Sequence, residues 1–137
     1  MRIDTLIEDF SFLDGWEDKY KYLIELGNEL PHLSEDKKID EWKIDGCQSQ
    51  VWIIPHLEND KIYFEGDSDA IIVRGIIAIV FEIFKDKSAQ EILDIDVEEI
   101  FDKIGLREHI TPNRRSGMLS MVDKIKYYAE QKIKETE

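Results

Sequence analysis

Residues 70–84, AIIVRGIIAIVFEIF, are apolar except for Arg74, Gly75 and Glu82. Ile72, Val73, Ile76, Ile77, Val80, Phe81 and Phe84 recur at helical spacing, and Ile71, Ile79 and Ile83 make the helix apolar nearly all round. The run is too short to span a bilayer of about 30 Å. It therefore predicts a buried helix, the spine on which everything else packs, with Arg74 and Glu82 expected to find a polar exit. Ahead of it, Gly66-Asp67-Ser68-Asp69 offers side-chain oxygens to the orphan N–H groups of its first turn.

A chain of 137 residues is one ordinary domain, long enough to bury roughly two thirds of the surface its unfolded form exposes. Apolar residues make up 42% of it, so the 36% that are charged read as a solvated surface rather than as disorder. The 18 Lys and Arg against 31 Asp and Glu leave a net charge of −13, which repels phosphate backbones and anionic headgroups within a Debye length of about 8 Å. Nucleic acid and membrane are thus disfavoured as partners, and a protein with a basic patch is favoured. The opening MRIDTLIEDF is acidic and lacks the features of a secretory or transit leader, so a cytoplasmic location is expected.

Ile3, Leu6, Ile7 and Phe10 predict a short first helix with Asp4 as its cap. After Asp14-Gly15, a second face of Trp16, Tyr20, Leu23, Ile24 and Gly27 runs on until Pro31 stops it. Residues 32–41 are polar and suit an exposed connection. Residues 42–44, 51–57 and 61–64 are rich in β-branched and aromatic side chains and predict three antiparallel strands. Pro55, which lacks an N–H, marks an edge or a bulge. Cys47 then falls at a hairpin tip. Ser88 with Glu91, and Asp96 with Glu99, signal two short helices, the second closed by Gly105. Thr111-Pro112 opens a last helix whose apolar face carries Met118, Val122, Ile125 and Ala129. The fold class is α+β: one domain, residues 1–137, with a small curved antiparallel sheet of about three strands packed against helices.

Cys47 is the one cysteine, so the monomer can form no internal disulfide and no cysteine-based metal cage. Its polar neighbours Gly46, Gln48, Ser49 and Gln50 point to an accessible thiol rather than a buried small hydrophobe. At an ordinary pKa only about 3% of a thiol is ionised at pH 7, and Asp45 together with the global charge lowers that fraction. With no helix N-terminus next to it in sequence, Cys47 needs positive charge from elsewhere. Arg114 and Arg115 have two readings: ion pairs with nearby carboxylates, or an anion-favouring spot if the fold brings them to Cys47. His32, His56 and His109 share no ligand spacing, and a Cys–His dyad would require one of them beside Cys47. The carboxylates Asp94, Asp96, Glu98 and Glu99 read as helix caps and solvated surface.

The run Gly46-Cys47-Gln48-Ser49-Gln50-Val51-Trp52 resembles the active-site loop of the SufE family of sulfur acceptors. Phe64-Glu65-Gly66-Asp67-Ser68-Asp69-Ala70 through Val73-Arg74-Gly75 is similar to that family's strand-to-helix segment, and Leu106 with Thr111-Pro112-Asn113-Arg114 to its C-terminal motif. The motifs come in the family's order and cover most of the chain. One departure is that Arg114-Arg115-Ser116-Gly117 stands where the family has Arg, Ser, Asn or Gln, and Gly, so that Arg114 carries over while Arg115 and Ser116 take no role from the family.

The resemblance implies a fold like that of the iron-sulfur scaffold proteins. It also implies a persulfide relay, in which Cys47 takes sulfur from a pyridoxal-phosphate-dependent cysteine desulfurase and passes it towards iron-sulfur cluster assembly, a downstream scaffold being a possible recipient. Cys47 is then the reacting residue, and Gly46, Gln48, Ser49, Gln50, Trp52, Asp67, Ser68 and Arg114 are loop and interface residues. No metal and no cofactor is implied in this chain; the pyridoxal phosphate belongs to the partner. Val51 and Trp52 are candidates to line an apolar shelter for the loaded sulfur, although packing in the core accounts for Trp52 equally well. Two alternatives stay open: a module that regulates a desulfurase without carrying sulfur, and, ranked lower, an iron-sulfur scaffold, for which one cysteine supplies too few ligands.

Overall fold

The computed structural model describes residues 3–47, 49–106 and 110–136. In chain order, α1 (Ile3–Ser11) and α2 (Gly15–Glu29) are followed by two single 3₁₀ turns, Glu35–Lys37 and Asp40–Trp42. Then come β1 (Val51–Glu58), β2 (Lys61–Ser68), α3 (Ile71–Phe84), α4 (Ala89–Asp94), α5 (Val97–Ile104) and α6 (Pro112–Thr136). The class is α+β, with an antiparallel sheet of two strands in place of about three. Residues 42–44 form a turn and a single bridge, Lys43 opposite Trp52, so the third strand shrinks to one rung.

β1 and β2 pair from Val51 with Ser68 to Glu58 with Lys61. Asn59, at φ 57°, takes the left-handed conformation that the tight connection requires. Four consecutive residues of β1, Val51 to Ile54, are buried, because both faces of this end of the sheet are covered. Val51 and Ile53 face the main core, while Trp52 and Ile54 pack with Leu33 and Trp42 in a second, smaller cluster. The connection over residues 32–41 is thus more than an exposed loop: Leu33 anchors it across the far face of the sheet.

Helix α3 is the expected spine. Val73, Ile76, Ile77, Ile79, Val80, Ile83 and Phe84 are all buried in the main cluster, to which α1, α2, both strands and the later helices contribute. Helices α2 and α3 cross almost backbone to backbone: a Cβ on Gly75 would lie 2.2 Å from the Leu23 carbonyl oxygen, and one on Gly27 2.7 Å from the Gly75 nitrogen. No side chain larger than hydrogen fits that crossing. The predicted caps form at Ser88 with Glu91, at Asp96, at Gly105 (φ +83°) and at Thr111, whose hydroxyl accepts from the Arg114 N–H at 3.3 Å.

Arg74 finds no polar exit. The residue is 6% exposed, and its guanidinium donates inward to the Gly27 carbonyl (2.9 Å), to the Leu30 carbonyl and to the Asp67 carboxylate. Asp67 in turn accepts from the Leu33 N–H at 3.0 Å and the Ser68 N–H at 2.8 Å. Asp67 therefore caps nothing on α3; β2 continues through Ser68 and places its carboxylate inside. This ion pair joins β2 and α3 to the C-terminal end of α2. Burial raises the Asp67 pKa, but the Leu33 and Ser68 N–H groups and the charges of Arg74 and Lys38 outweigh it and hold the carboxyl below its usual range. No helix among the described residues is long and apolar enough to cross a membrane.

Candidate functional site

Cys47 lies in the loop that enters β1, which is closed at its base by the Ile44 N–H donating to the Val51 carbonyl at 2.8 Å. Two further contacts hold it. On one side Gly46, at φ +86°, rests on α6 so closely that a Cβ there would lie 2.6 Å from the Ser120 hydroxyl oxygen. On the other, the Gln50 N–H donates to the Asp69 carboxylate at 3.0 Å and the Asp69 N–H returns a longer bond to the Gln50 carbonyl. Ser116, Gly117 and Ser120 give α6 a small-residue surface at the contact, and this lets the loop lie flat upon the helix.

The thiol is half-buried rather than freely exposed, and it donates to the Gly117 carbonyl (Sγ···O 3.5 Å). A Cβ on Gly117 would stand 3.4 Å from the sulfur, so glycine here leaves the thiol its room. Burial, and after it the Asp45 carboxylate, push the thiol pKa up. At neutral pH Cys47 therefore rests as the protonated thiol.

The thiol borders a cavity of about 300 Å³. Val73, Ile76 and Met121 form its apolar wall; Ser49, Thr111, Asn113 and Arg114 form the polar one. Thus the fold brings Arg114 and Cys47 to one cavity and sets the first two turns of α6 beside the thiol, although the two residues are far apart in sequence. A helix N-terminus favours an anion by its aligned peptide dipoles, and Arg114 adds a full charge. Arg115 faces away and pairs with Glu98, to which its Nε donates at 3.2 Å, so among the described residues the ion-pair reading holds for Arg115 and not for Arg114.

Of the other residues expected around the site, Gly46, Ser49 and Gln50 shape the loop or the cavity, while Gln48 lies outside the described residues. Trp52 sits elsewhere: it packs in the Leu33 cluster with the Lys38 ammonium 5.5 Å above its ring, and neither it nor Val51 lines the cavity. Val73, Ile76 and Met121 form the apolar wall of the cavity instead. Asp67 and Ser68 are buried in β2, in the network around Arg74. Asp69, which the sequence offers as a helix cap, instead ties the Gln50 end of the loop to the start of α3.

His56 bonds Glu65 at 2.9 Å on the exposed sheet face and His32 lies against Asp67 and Arg74, so neither serves the thiol; His109 lies outside the described residues. Among the described residues no group of His, Cys, Asp and Glu is arranged to hold a metal.

Fold and site together define a small α+β protein with a single thiol at the edge of a cavity whose walls are half apolar and half anion-favouring. Residues 4–129 match the model of the SufE family, described as an Fe-S metabolism associated domain. The chain belongs to the SufE family. It is 49% identical over 135 residues to an uncharacterised SufE-like protein of Rhizobium meliloti (strain 1021), covering 96% of each chain. A second uncharacterised SufE-like protein, of Rhizobium etli, is 50% identical over 132 residues, 93% of this chain and 89% of that one. The fold is similar to the solution structure of a hypothetical protein from Thermus thermophilus, with a TM-score of 0.78 and 17% identity over 96% of both chains.

Proposed function

We propose that this protein accepts sulfur on Cys47 from the persulfide of a pyridoxal-phosphate-dependent cysteine desulfurase, stimulates that enzyme by doing so, and relays the sulfur towards iron-sulfur cluster assembly. The observation that carries this reading is the lone Cys47 thiol set at a cavity larger than the thiol itself needs, with Arg114 in the wall. The Cys47 thiolate, its proton lost to solvent or to the partner, attacks the outer sulfur of the donor's persulfide. The donor's S–S bond breaks, the donor thiolate leaves with the electron pair, and a new S–S bond joins that sulfur to Cys47. One persulfide is consumed and one formed, so no oxidant or reductant is required.

The resting state suits a carrier that acts only with its partner. A thiol kept protonated by burial and Asp45 reacts slowly with chance oxidants, and docking that displaces the loop from Gly117 would raise its reactivity where sulfur is offered. Once loaded, the outer sulfur is sheltered by Val73, Ile76 and Met121, with Arg114 and the start of α6 stabilising its charge.

Desulfurase turnover measured with wild type and with Cys47→Ser tests this. A carrier stimulates turnover only with the thiol present. If Cys47→Ser stimulated as strongly as wild type, the protein would be a regulatory binding module and not a carrier.

A further inference from the structure

A second hollow adjoins the Cys47 cavity. Trp16, Tyr20, Ile72 and Ile110 line it, and Arg114 belongs to the walls of both. Ile72 faces this hollow and Val73, the next residue, faces the Cys47 cavity, so the start of α3 divides the two. At that start stands Ile71, 59% exposed, two residues after the Asp69 that holds the cysteine loop. Trp16 is 55% exposed and held edge-on against Tyr20, with ring centroids 5.7 Å apart. The Arg114 guanidinium has no ion-pair or hydrogen-bond partner among the described residues, whereas its neighbour Arg115 is paired. Two large apolar side chains in water thus stand at the second hollow and at the start of α3, and an unpaired cation links that hollow to the Cys47 cavity, in a chain whose net charge is −13.

We propose that Trp16 and Ile71, with Arg114 between the two hollows, are the anchors by which a protein sulfur donor docks over Cys47. The proposal rests on the carrier reading above. A standard protein–protein interface covers about 800 Å² on each partner, a disc of about 16 Å radius, so a donor seated on Cys47 is wide enough to reach past Arg114 to the adjoining hollow. Tryptophan and arginine are the residues on which binding energy concentrates in such interfaces. The partner surface that fits is an apolar patch carrying a carboxylate for Arg114. A second copy of this chain fits poorly, since it would bring a further net −13 to the contact. A small-molecule donor would need no apolar rim in water.

The test uses the cysteine desulfurase of the same organism, carrying its own cofactor, and measures the concentration of this protein that gives half-maximal sulfur loading of Cys47. Trp16→Glu should raise that concentration about tenfold or more, and Ile71→Glu by a smaller factor. Leu57→Glu, an exposed apolar position near the opposite end of β1, should leave it unchanged. All three variants should keep the wild-type far-UV circular dichroism spectrum, showing the fold intact. Ile71→Glu is also safe for the fold, because a carboxylate is favourable in the first turn of α3.

Wild-type half-saturation in both Trp16→Glu and Ile71→Glu would overturn the docking surface while leaving the carrier reading standing. A wild-type dimer that Trp16→Glu converts to monomer, with half-saturation unchanged, would assign the surface to self-association and overturn the proposal likewise. Failure of the wild type itself to load would overturn the carrier reading, and the docking proposal with it.

Discussion

Replacing Gly46 by alanine tests how the cysteine loop is held on α6. Two separate penalties arise. Gly46 sits at φ +86°, where an L-residue loses about 1–2 kcal/mol. The new Cβ would also lie 2.6 Å from the Ser120 hydroxyl oxygen, the far end of a short side chain that can rotate away. Rotation breaks the bond that this hydroxyl donates to the Ser116 carbonyl at 3.1 Å, a loss of about 1 kcal/mol. The sum is about 2–3 kcal/mol, read as the change in urea midpoint at constant slope.

The Ser120→Ala background separates the two. There the hydroxyl is gone, and the remaining Cβ of residue 120, at 3.5 Å from the added methyl, is in ordinary contact. Gly46→Ala should then lose only the backbone part, leaving a coupling of about 1 kcal/mol between the two sites. An equal loss in both backgrounds would show that the loop does not rest on Ser120. A loss below about 0.5 kcal/mol in both would refute the left-handed conformation at Gly46 as well.

Asp67→Asn should destabilise the protein by about 3–5 kcal/mol, because it leaves Arg74 charged and buried without its counter-ion. The folded-state Asp67 pKa is depressed, so its contribution is complete above the ordinary carboxylate pKa near 4 and is lost as pH falls through the folded value. Wild type should accordingly lose more stability on acidification than Asp67→Asn does; equal losses in urea titrations across acid pH would show that the pair does not operate. Asp45→Asn removes one of the two influences that raise the Cys47 pKa, so the midpoint of its alkylation rate against pH should move down. A midpoint that stays in place would leave burial as the whole cause.

The elements legible in the sequence are those whose signal is local. The apolar run of α3 and the caps at Ser88, Asp96, Gly105 and Thr111 each depend on residues within a turn of one another, and each forms where expected. Residues 42–44 do not form the expected strand because an aromatic and β-branched composition states only that a segment suits a sheet face. Trp42 in fact packs on that face from a 3₁₀ turn. Asp67 departs from its expected capping role because a short polar cluster before a helix reads as a cap, whereas β2 runs on through Ser68 and Arg74 of α3 takes the carboxylate.

The cysteine itself is legible from its family motif and its polar flanks, but its surroundings are not. Gly117 lies 70 residues from Cys47, and nothing local to either announces their contact. The polar residues of Thr111-Pro112-Asn113-Arg114 point to function without saying that they line the cysteine cavity. Asp69 carries a usable signal, since it stands at the start of α3, opposite the end of the loop, but it takes the strand register to place it against Gln50.

A sulfur carrier must hold sulfur covalently on Cys47. The direct measurement is the intact mass of the reduced wild-type protein after incubation with a cysteine desulfurase and cysteine, followed by fragmentation of the peptide that carries residue 47. A carrier gains one or more sulfur atoms on that peptide, removed by thiol reductant and absent from Cys47→Ser. An unmodified mass while the desulfurase turns over faster in the protein's presence would contradict the carrier reading.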